Sequence, residues 1–311
     1  MASAAARRSS QIAFQLATMV VLASACASSS ASTAPKAPHP VLSSPPPPVI
    51  TPAAPAPPNV TIPAAHSFAY ASGTYRYEIR NEAVITSLSD PRVDSVSSRA
   101  IVTLHVSSAD TAMITIEGIV DTFTVSTSHA ATGGPAMIGV PFTMTAFLNG
   151  RLLDLGIANS AAVCVTPLSV IAAVGREVLV ALPVPLAPLA EWIDSAATVT
   201  CRAALPVAAR SVRRSTASWV SVPPGWSRHA GDAAFEVSSL TTTTVSGQGR
   251  VAGRQIELGG QGQGNRLLYV DPELGVLLGG TGNGSTRIVL DAGSQRQEFV
   301  QTVHQQITLL P

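Results

Sequence analysis

The chain has 311 residues, 46% of them hydrophobic but only 5% aromatic and 12% charged, with a formal net charge of +1. So neutral a chain has no electrostatic footprint for nucleic acid, and none is expected as a partner. Once a low-complexity N-terminal region is set aside, the length fits a single domain over residues 67–311.

Residues 1–25 have the layout of a secretory leader. Arg7 and Arg8 give a positive start, residues 12–22 an apolar stretch, and Ala23-Ser24-Ala25 a run of small residues before Cys26. Here the sequence resembles the signal of bacterial lipoproteins, in which a small residue precedes the cysteine that becomes the lipid-carrying N-terminus. Ala23 stands where leucine is commonest in that family. The resemblance covers residues 1–26 and implies lipidation of Cys26 and attachment to a membrane of the cell envelope. Ala27 and Ser28 follow the cysteine in place of an aspartate, which in such lipoproteins implies the outer membrane. On the residues alone, the alternative is an ordinary leader cut at Ala-x-Ala, with Cys26 a plain thiol. Loss of the leader takes two of 19 basic residues against 18 acidic ones and leaves a net charge of −1.

Residues 26–66 read as an anchor and tether. Ser28-Ser29-Ser30, the run Pro45-Pro46-Pro47-Pro48 and further prolines as far as Pro63 cannot build a core and favour extended polyproline II chain. At about 3.1 Å per residue the tether reaches on the order of 100 Å.

From Gly73 the pattern turns to period two. Tyr75, Tyr77 and Ile79 alternate with Arg76, Glu78 and Arg80, as in a strand with one wet face. Strands are expected next over 100–106 and 113–125, rich in Ile, Val and Thr, and over 142–148 and 151–157. The last two flank Asn149-Gly150, whose residues tolerate positive φ and signal a hairpin. Cys164 and Thr166-Pro167 then open an apolar run. Thr166 suits an N-cap and Pro167 the first helical position. Leu168, Ile171, Gly175, Val178 and Leu182 follow helical spacing, and Pro183 stops the run. The reading is one central apolar helix near 167–182, about 16 residues long and short of the roughly 20 needed to span a bilayer.

Strands resume over 198–205, 215–222, 235–245, 256–259, 266–270, 276–290 and 298–310. Turns fall at Asp271-Pro272-Glu273-Leu274-Gly275 and Asp291-Ala292-Gly293-Ser294. Gly279, Gly280, Gly282 and Gly284 inside one strand point to bulges, as where a sheet curls toward a barrel. The fold class is therefore mainly β: a curved antiparallel sheet or incomplete barrel with one central helix.

No constellation carries catalysis. Gly247-x-Gly249-x-x-Ala252 mimics a dinucleotide fingerprint, but strand-like residues follow where a helix is required. The six histidines share no metal spacing, no serine sits in GxSxG, and Glu117 and Asp121 make no convincing acid–base pair. No catalytic residue, cofactor or metal is expected. A hydrolase stays a minor alternative. Trp192, Trp219 and Trp226 with Tyr75 and Tyr77 fit either a core or an apolar cleft.

Strands, a central helix and more strands behind a lipid anchor are similar in layout to envelope lipoproteins of the LolA, LolB and LppX type. That resemblance implies a curved sheet able to hold an apolar ligand such as lipid, and it carries over no residues. The reading is a non-catalytic, membrane-tethered lipoprotein; the alternative is a structural or assembly accessory of the envelope with a filled core.

With Cys26 assigned to lipid, Cys164 and Cys201 remain in an oxidising compartment and are expected to pair. The bond would close a loop of about 37 residues, worth on the order of 3 to 4 kcal/mol on the chain-entropy model. In unreduced, denatured protein neither thiol should alkylate, and their peptides should separate only on reduction. Alkylation of both would refute the pairing.

Overall fold

The computed structural model describes residues 65–89, 93–108, 110–128, 131–133, 138–157, 177–202, 205–226, 232–251, 254–293 and 295–311. The first half supplies β1 (Gly73–Ser87), β2 (Val93–Ser108), β3 (Met113–Thr127), β4 (Ala131–Gly133), β5 (Pro141–Phe147) and β6 (Leu152–Ile157). The second supplies β7 (Glu191–Arg202), β8 (Leu205–Ser221), β9 (Ala233–Val251), β10 (Arg254–Asp271), β11 (Val276–Asp291) and β12 (Arg296–Leu310).

All belong to one antiparallel sheet in the order β6-β5-β3-β2-β1-β12-β11-β10-β9-β8-β7, with the short β4 attached to β3. Each half is a meander of hairpins, and β1 and β12 zip the halves together from Arg76 opposite Leu310 to Ser87 opposite Phe299. Burial alternates almost without fault along β2, where Asp94, Val96, Ser98, Ala100, Val102, Leu104 and Val106 face inward. That alternation is the period-two signal of one covered face. The sheet covers it largely with itself, curling into a half-barrel. Ala83, Ile85 and Val96 of β1 and β2 share one buried cluster with Val207, Val245 and Leu258 of β8, β9 and β10.

The outer face is mostly polar, with exposed Arg80, Glu82, Thr242, Thr244, Gln261, Gln263 and His304 beside scattered exposed Val84, Ile193, Val212 and Leu240. A membrane-spanning barrel needs the reverse, an outward apolar belt about 25 Å tall.

Two segments fill one end of the curl. Residues 65–72 place Phe68 and Tyr70 in the core, and residues 177–190 place Val178, Leu179, Val180, Leu182 and Leu186 there. His66 and Leu186 exchange both backbone hydrogen bonds at 2.7 Å, so the segments hold each other. They also hold both halves of the sheet. The Leu182 N–H donates to the Asn149 carbonyl at 3.0 Å, and the Leu189 N–H donates to the Ala217 carbonyl at 2.7 Å. Gly150 (φ 85°) and Gly275 (φ 60°) sit at two rim turns where a Cβ would collide with backbone of this plug. Both positions need glycine for conformation and for space.

The expected central helix needs correction at its end. Residues 167–176 lie outside the described residues, but from Val178 to Leu182 the chain is irregular. Its backbone groups go to the sheet rim and to Tyr70, whose hydroxyl accepts the Val180 N–H at 2.9 Å. An apolar run without a wet face suits a segment buried on all sides as well as a buried helix, and periodicity cannot separate the two. The strand expected over 198–205 also differs: β7 begins at Glu191 and ends at Arg202, and β8 starts at Leu205. The other half of the reading stands. The Asn149-Gly150 hairpin forms, both later turns fall where expected, and the register slips beside Gly279 between β10 and β11.

The plug gives the first test of the fold. Tyr70→Phe strips the buried Val180 N–H of its acceptor and should cost about 1–3 kcal/mol. Leu186→Ala, at a wholly buried site, should cost about 2–5 kcal/mol. Urea unfolding of both variants checks this, and unchanged midpoints would show that the plug does not hold the body together.

A buried polar band as the candidate functional site

The inner face is not apolar throughout. Across eight strands, one register row reads Ser98, Asn81, Gln305, Gly282, Arg266, Ser239, Ser215 and Trp192, each residue opposite the next. Its polar members from Ser98 to Ser215 are all 9% exposed or less. Two rows further along lies a second polar group, with Asp94, Gln301 and Thr286 on β2, β12 and β11. The first row lies between the plugged apolar cluster and the one around Ile85, Leu258 and Phe299, and the second polar group lies within the latter.

Part of the band satisfies itself. The Gln305 Nε2 donates to Asn81 Oδ1 at 3.0 Å, and the Ser215 and Ser239 hydroxyls meet at 2.9 Å. Arg266 donates to the Glu177 carbonyl at 2.6 Å and pairs with its carboxylate at 3.1 Å, tying the plug to the band. Asp194 pairs with Arg213 at 3.0 Å, and Asp94 accepts from the Ser128 hydroxyl at 2.7 Å. The rest has no protein partner: both amide atoms of Gln301, Gln305 Oε1, Arg266 Nε, Trp192 Nε1 and Asp194 Oδ2. Gln301 and Gln305 are each 1% exposed. Beside them Gly282 and Gly284 of β11, with Gly262 and Gly264 of β10, present bare backbone on the inner wall.

Burial dominates the electrostatics nearby. It pushes the Tyr70 phenol up to about 12, against the hydrogen bond from the Val180 backbone. On the outer face, burial would raise the Glu78 carboxyl, but hydrogen bonds from Arg99 and Arg80 outweigh it and hold the group below its ordinary range.

Residues marked out by the sequence fall elsewhere. Cys26 and Cys164 lie outside the described residues, and Cys201 sits near the end of β7 opposite Pro206. Asp121 accepts from the Thr103 hydroxyl at 2.7 Å on the outer face, while Glu117 lies exposed, so they form no pair. His105 and His304 meet Thr74 and Asn283 on the outer face, and His66 stacks over Trp219. Tyr77 is buried, Trp219 packs edge-on to Phe235 at 5.0 Å, and Trp226 stacks on Tyr269 at 5.1 Å. These aromatics are core. The Gly247-x-Gly249 run lies in β9, and β10 follows it where a nucleotide would need a helix.

Two open grooves cross the outer wall. One, of about 610 Å³, runs by Val84, Ser97 and His304; the other, of about 790 Å³, runs by Ile193, Arg214 and Leu240.

No protein-family model and no curated protein matches this chain. Among solved structures it is similar to DynF from the dynemicin biosynthesis pathway of Micromonospora chersina, at 10% identity and a TM-score of 0.24, covering 84% of this chain and 91% of that one. It is also similar to an outer membrane channel from Pseudomonas putida F1, at 9% identity and a TM-score of 0.27, covering 78% and 98%. Scores this low carry no argument about ligand or activity.

Glu78 supplies a pH test of the wall that carries the band. A carboxyl lowered by folding stabilises fully above its unfolded value, near 4.5, and loses that contribution as pH falls through the folded value. Its arginine partners are half exposed, so Glu78→Gln should cost about 1 kcal/mol or less at neutral pH. The gap to wild type should close on acidification. A gap that widens in acid would reverse the sign assigned to Glu78.

Proposed function

We propose that this chain is a non-catalytic envelope lipoprotein, anchored through lipid on Cys26, whose curled sheet binds a small amphipathic ligand. The observation that carries the reading is Gln301, 1% exposed with neither amide atom partnered, set inside the apolar cluster of Ile85, Phe299 and Val303. Burying an amide without partners costs roughly 2–7 kcal/mol, so a hydrogen-bonding occupant would offset a large penalty. The apolar side chains around it suit the rest of an amphiphile. The tether of residues 26–66 leads to the plug at residue 65, so the anchor would pull on the filled end of the curl. The polar outer wall supports attachment by the anchor and not by the sheet. The outer membrane is the proposed location, following Ala27 and Ser28.

One observation favours the second reading, an assembly or structural accessory. The apolar end is occupied by the chain's own Phe68, Val178, Leu182 and Leu186, as a filled core requires.

Two measurements separate these readings. Native mass spectrometry of the mature protein, purified from its own membrane, should show a bound small molecule that is lost on replacing Gln301 and Gln305 with leucine. A bare mass in wild type would favour the accessory. Independently, Cys26→Ala should release the protein from the detergent phase, because more than one acyl chain at about 0.8 kcal/mol per buried CH₂ makes attachment stable. An unmodified mature N-terminus starting elsewhere would remove the anchor.

A further inference from the structure

We infer that the outward side of the plug docks on the interfacial layer of a lipid bilayer, beside the point where the tether joins the body. The bilayer as partner rests on the anchor proposed above. From Val178 to Ala190 the chain carries no polar side chain. Packing explains the inner members of that run, since Val178, Leu179, Val180, Leu182 and Leu186 are buried. It does not explain Val184, Pro185 and Leu189, which are exposed, Val184 to 62% and Leu189 to 83%.

Leu189 is the sharpest case. Its φ is 65°, in the left-handed region where asparagine or glycine sits more easily than leucine. The turn is fixed in place. The Leu189 N–H donates to the Ala217 carbonyl at 2.7 Å, and the Ala217 N–H donates to the Ala190 carbonyl at 3.0 Å. A leucine held this way slightly disfavours the fold and buries almost nothing within it. Its apolar surface is explained by a contact outside the body.

The backbone points the same way. An apolar medium penalises every unpaired N–H. Pro183, Pro185 and Pro188 have none, and the N–H groups of Leu186, Leu189 and Ala190 donate to the His66, Ala217 and Ala187 carbonyls. Few donors of this stretch would therefore lose water on docking. Beside it, the Arg151 guanidinium lies over the Phe147 ring at 4.2 Å, and both residues share a groove with Val184. An arginine at the rim of an apolar face reaches lipid phosphate while its stem stays in the apolar layer.

Two observations favour a bilayer over a protein partner. His66 exchanges backbone hydrogen bonds with Leu186, so the chain anchored at Cys26 enters the body beside this face. Three exposed apolar side chains also fall far short of the roughly 800 Å² per partner of a stable protein interface. They suffice for shallow insertion at the headgroup boundary, where irregular backbone still meets water.

The test uses the mature chain made as Cys26→Ala, so that it carries no lipid, and vesicles of phosphatidylcholine. The protein should co-sediment with them, and Val184→Ser combined with Leu189→Asn should weaken partitioning by about tenfold or more. Leu240→Asn, at another exposed leucine on the outer wall, should leave it unchanged. Leu189→Asn alone should hold or raise the urea midpoint, which separates docking from folding. Equal loss in Leu240→Asn, or no uptake of the Cys26→Ala chain, would overturn the docking face and leave the anchor reading intact. So would self-association that Leu189→Asn abolishes, because the occupant would then be a second copy. An unmodified wild-type N-terminus would remove the anchor reading, while vesicle binding lost in the double variant would still support the face.

Discussion

One constraint governs the body: a chain that ends β6 at one edge of an eleven-strand path must begin β7 at the other edge. Flat, that distance would be ten inter-strand spacings of about 4.8 Å, close to 50 Å. Curling brings the edges toward each other. The described part of the connection, residues 177–190, lies in the plug at one end of the curl. It gives its backbone hydrogen bonds to rim residues of both halves, through Asn149 on one side and Ala217 on the other. The curl, the filled end and the burial of Leu186 are therefore one event seen from three sides. Each buried aliphatic side chain in the plug adds roughly 1.5–3 kcal/mol that an open sheet would forgo.

The polar band follows from the same curl. Inward positions of a half-barrel must be filled by something, and one row of them is filled with Asn81 and Gln305 at the seam and with Ser239 and Ser215 on β9 and β8. Partly satisfied polar layers are unfavourable on their own account, since each buried orphan loses its water without replacement. The chain tolerates this at Gln301 and Gln305 while packing both ends tightly. Strain or desolvation concentrated in one layer of an otherwise well-packed body is the usual mark of a place that does something.

Much of this was legible in the residues. Asn149-Gly150 gave its hairpin, and Asp271 and Asp291 opened turns by capping backbone N–H groups two residues on, as asparagine and aspartate do. Glycine density in β11 foretold the register slip at Gly279. Strand lengths were underread because Ser, Gly and Gln interrupt the apolar alternation, as in β10, where Gln261, Gly262 and Gln263 continue one strand. The helix end was misread because an apolar run alone does not say whether its hydrogen bonds close locally or run to distant partners. The band was missed for a related reason: the strand over 298–310 was read without asking which way Gln301 and Gln305 face. Their parity held the signal. They share a face with Phe299, Val303 and Ile307, so inward polar residues could have been found by asking which glutamines break an apolar alternation.

The central seam between β1 and β12 decides when this body can exist. Asn81 and Gln305, which meet across it, stand 224 positions apart. Every other neighbouring pair of strands inside each meander is joined by a nearby turn or a short excursion, so the two halves can assemble early and separately. The seam cannot form until β12 is present, after the eleven strands that precede it in sequence. Long-range pairing of this kind is slow, and it leaves two strand edges waiting in the meantime. Until β12 arrives the half-barrel stays divided into its two meanders, and it closes only when that strand pairs with β1.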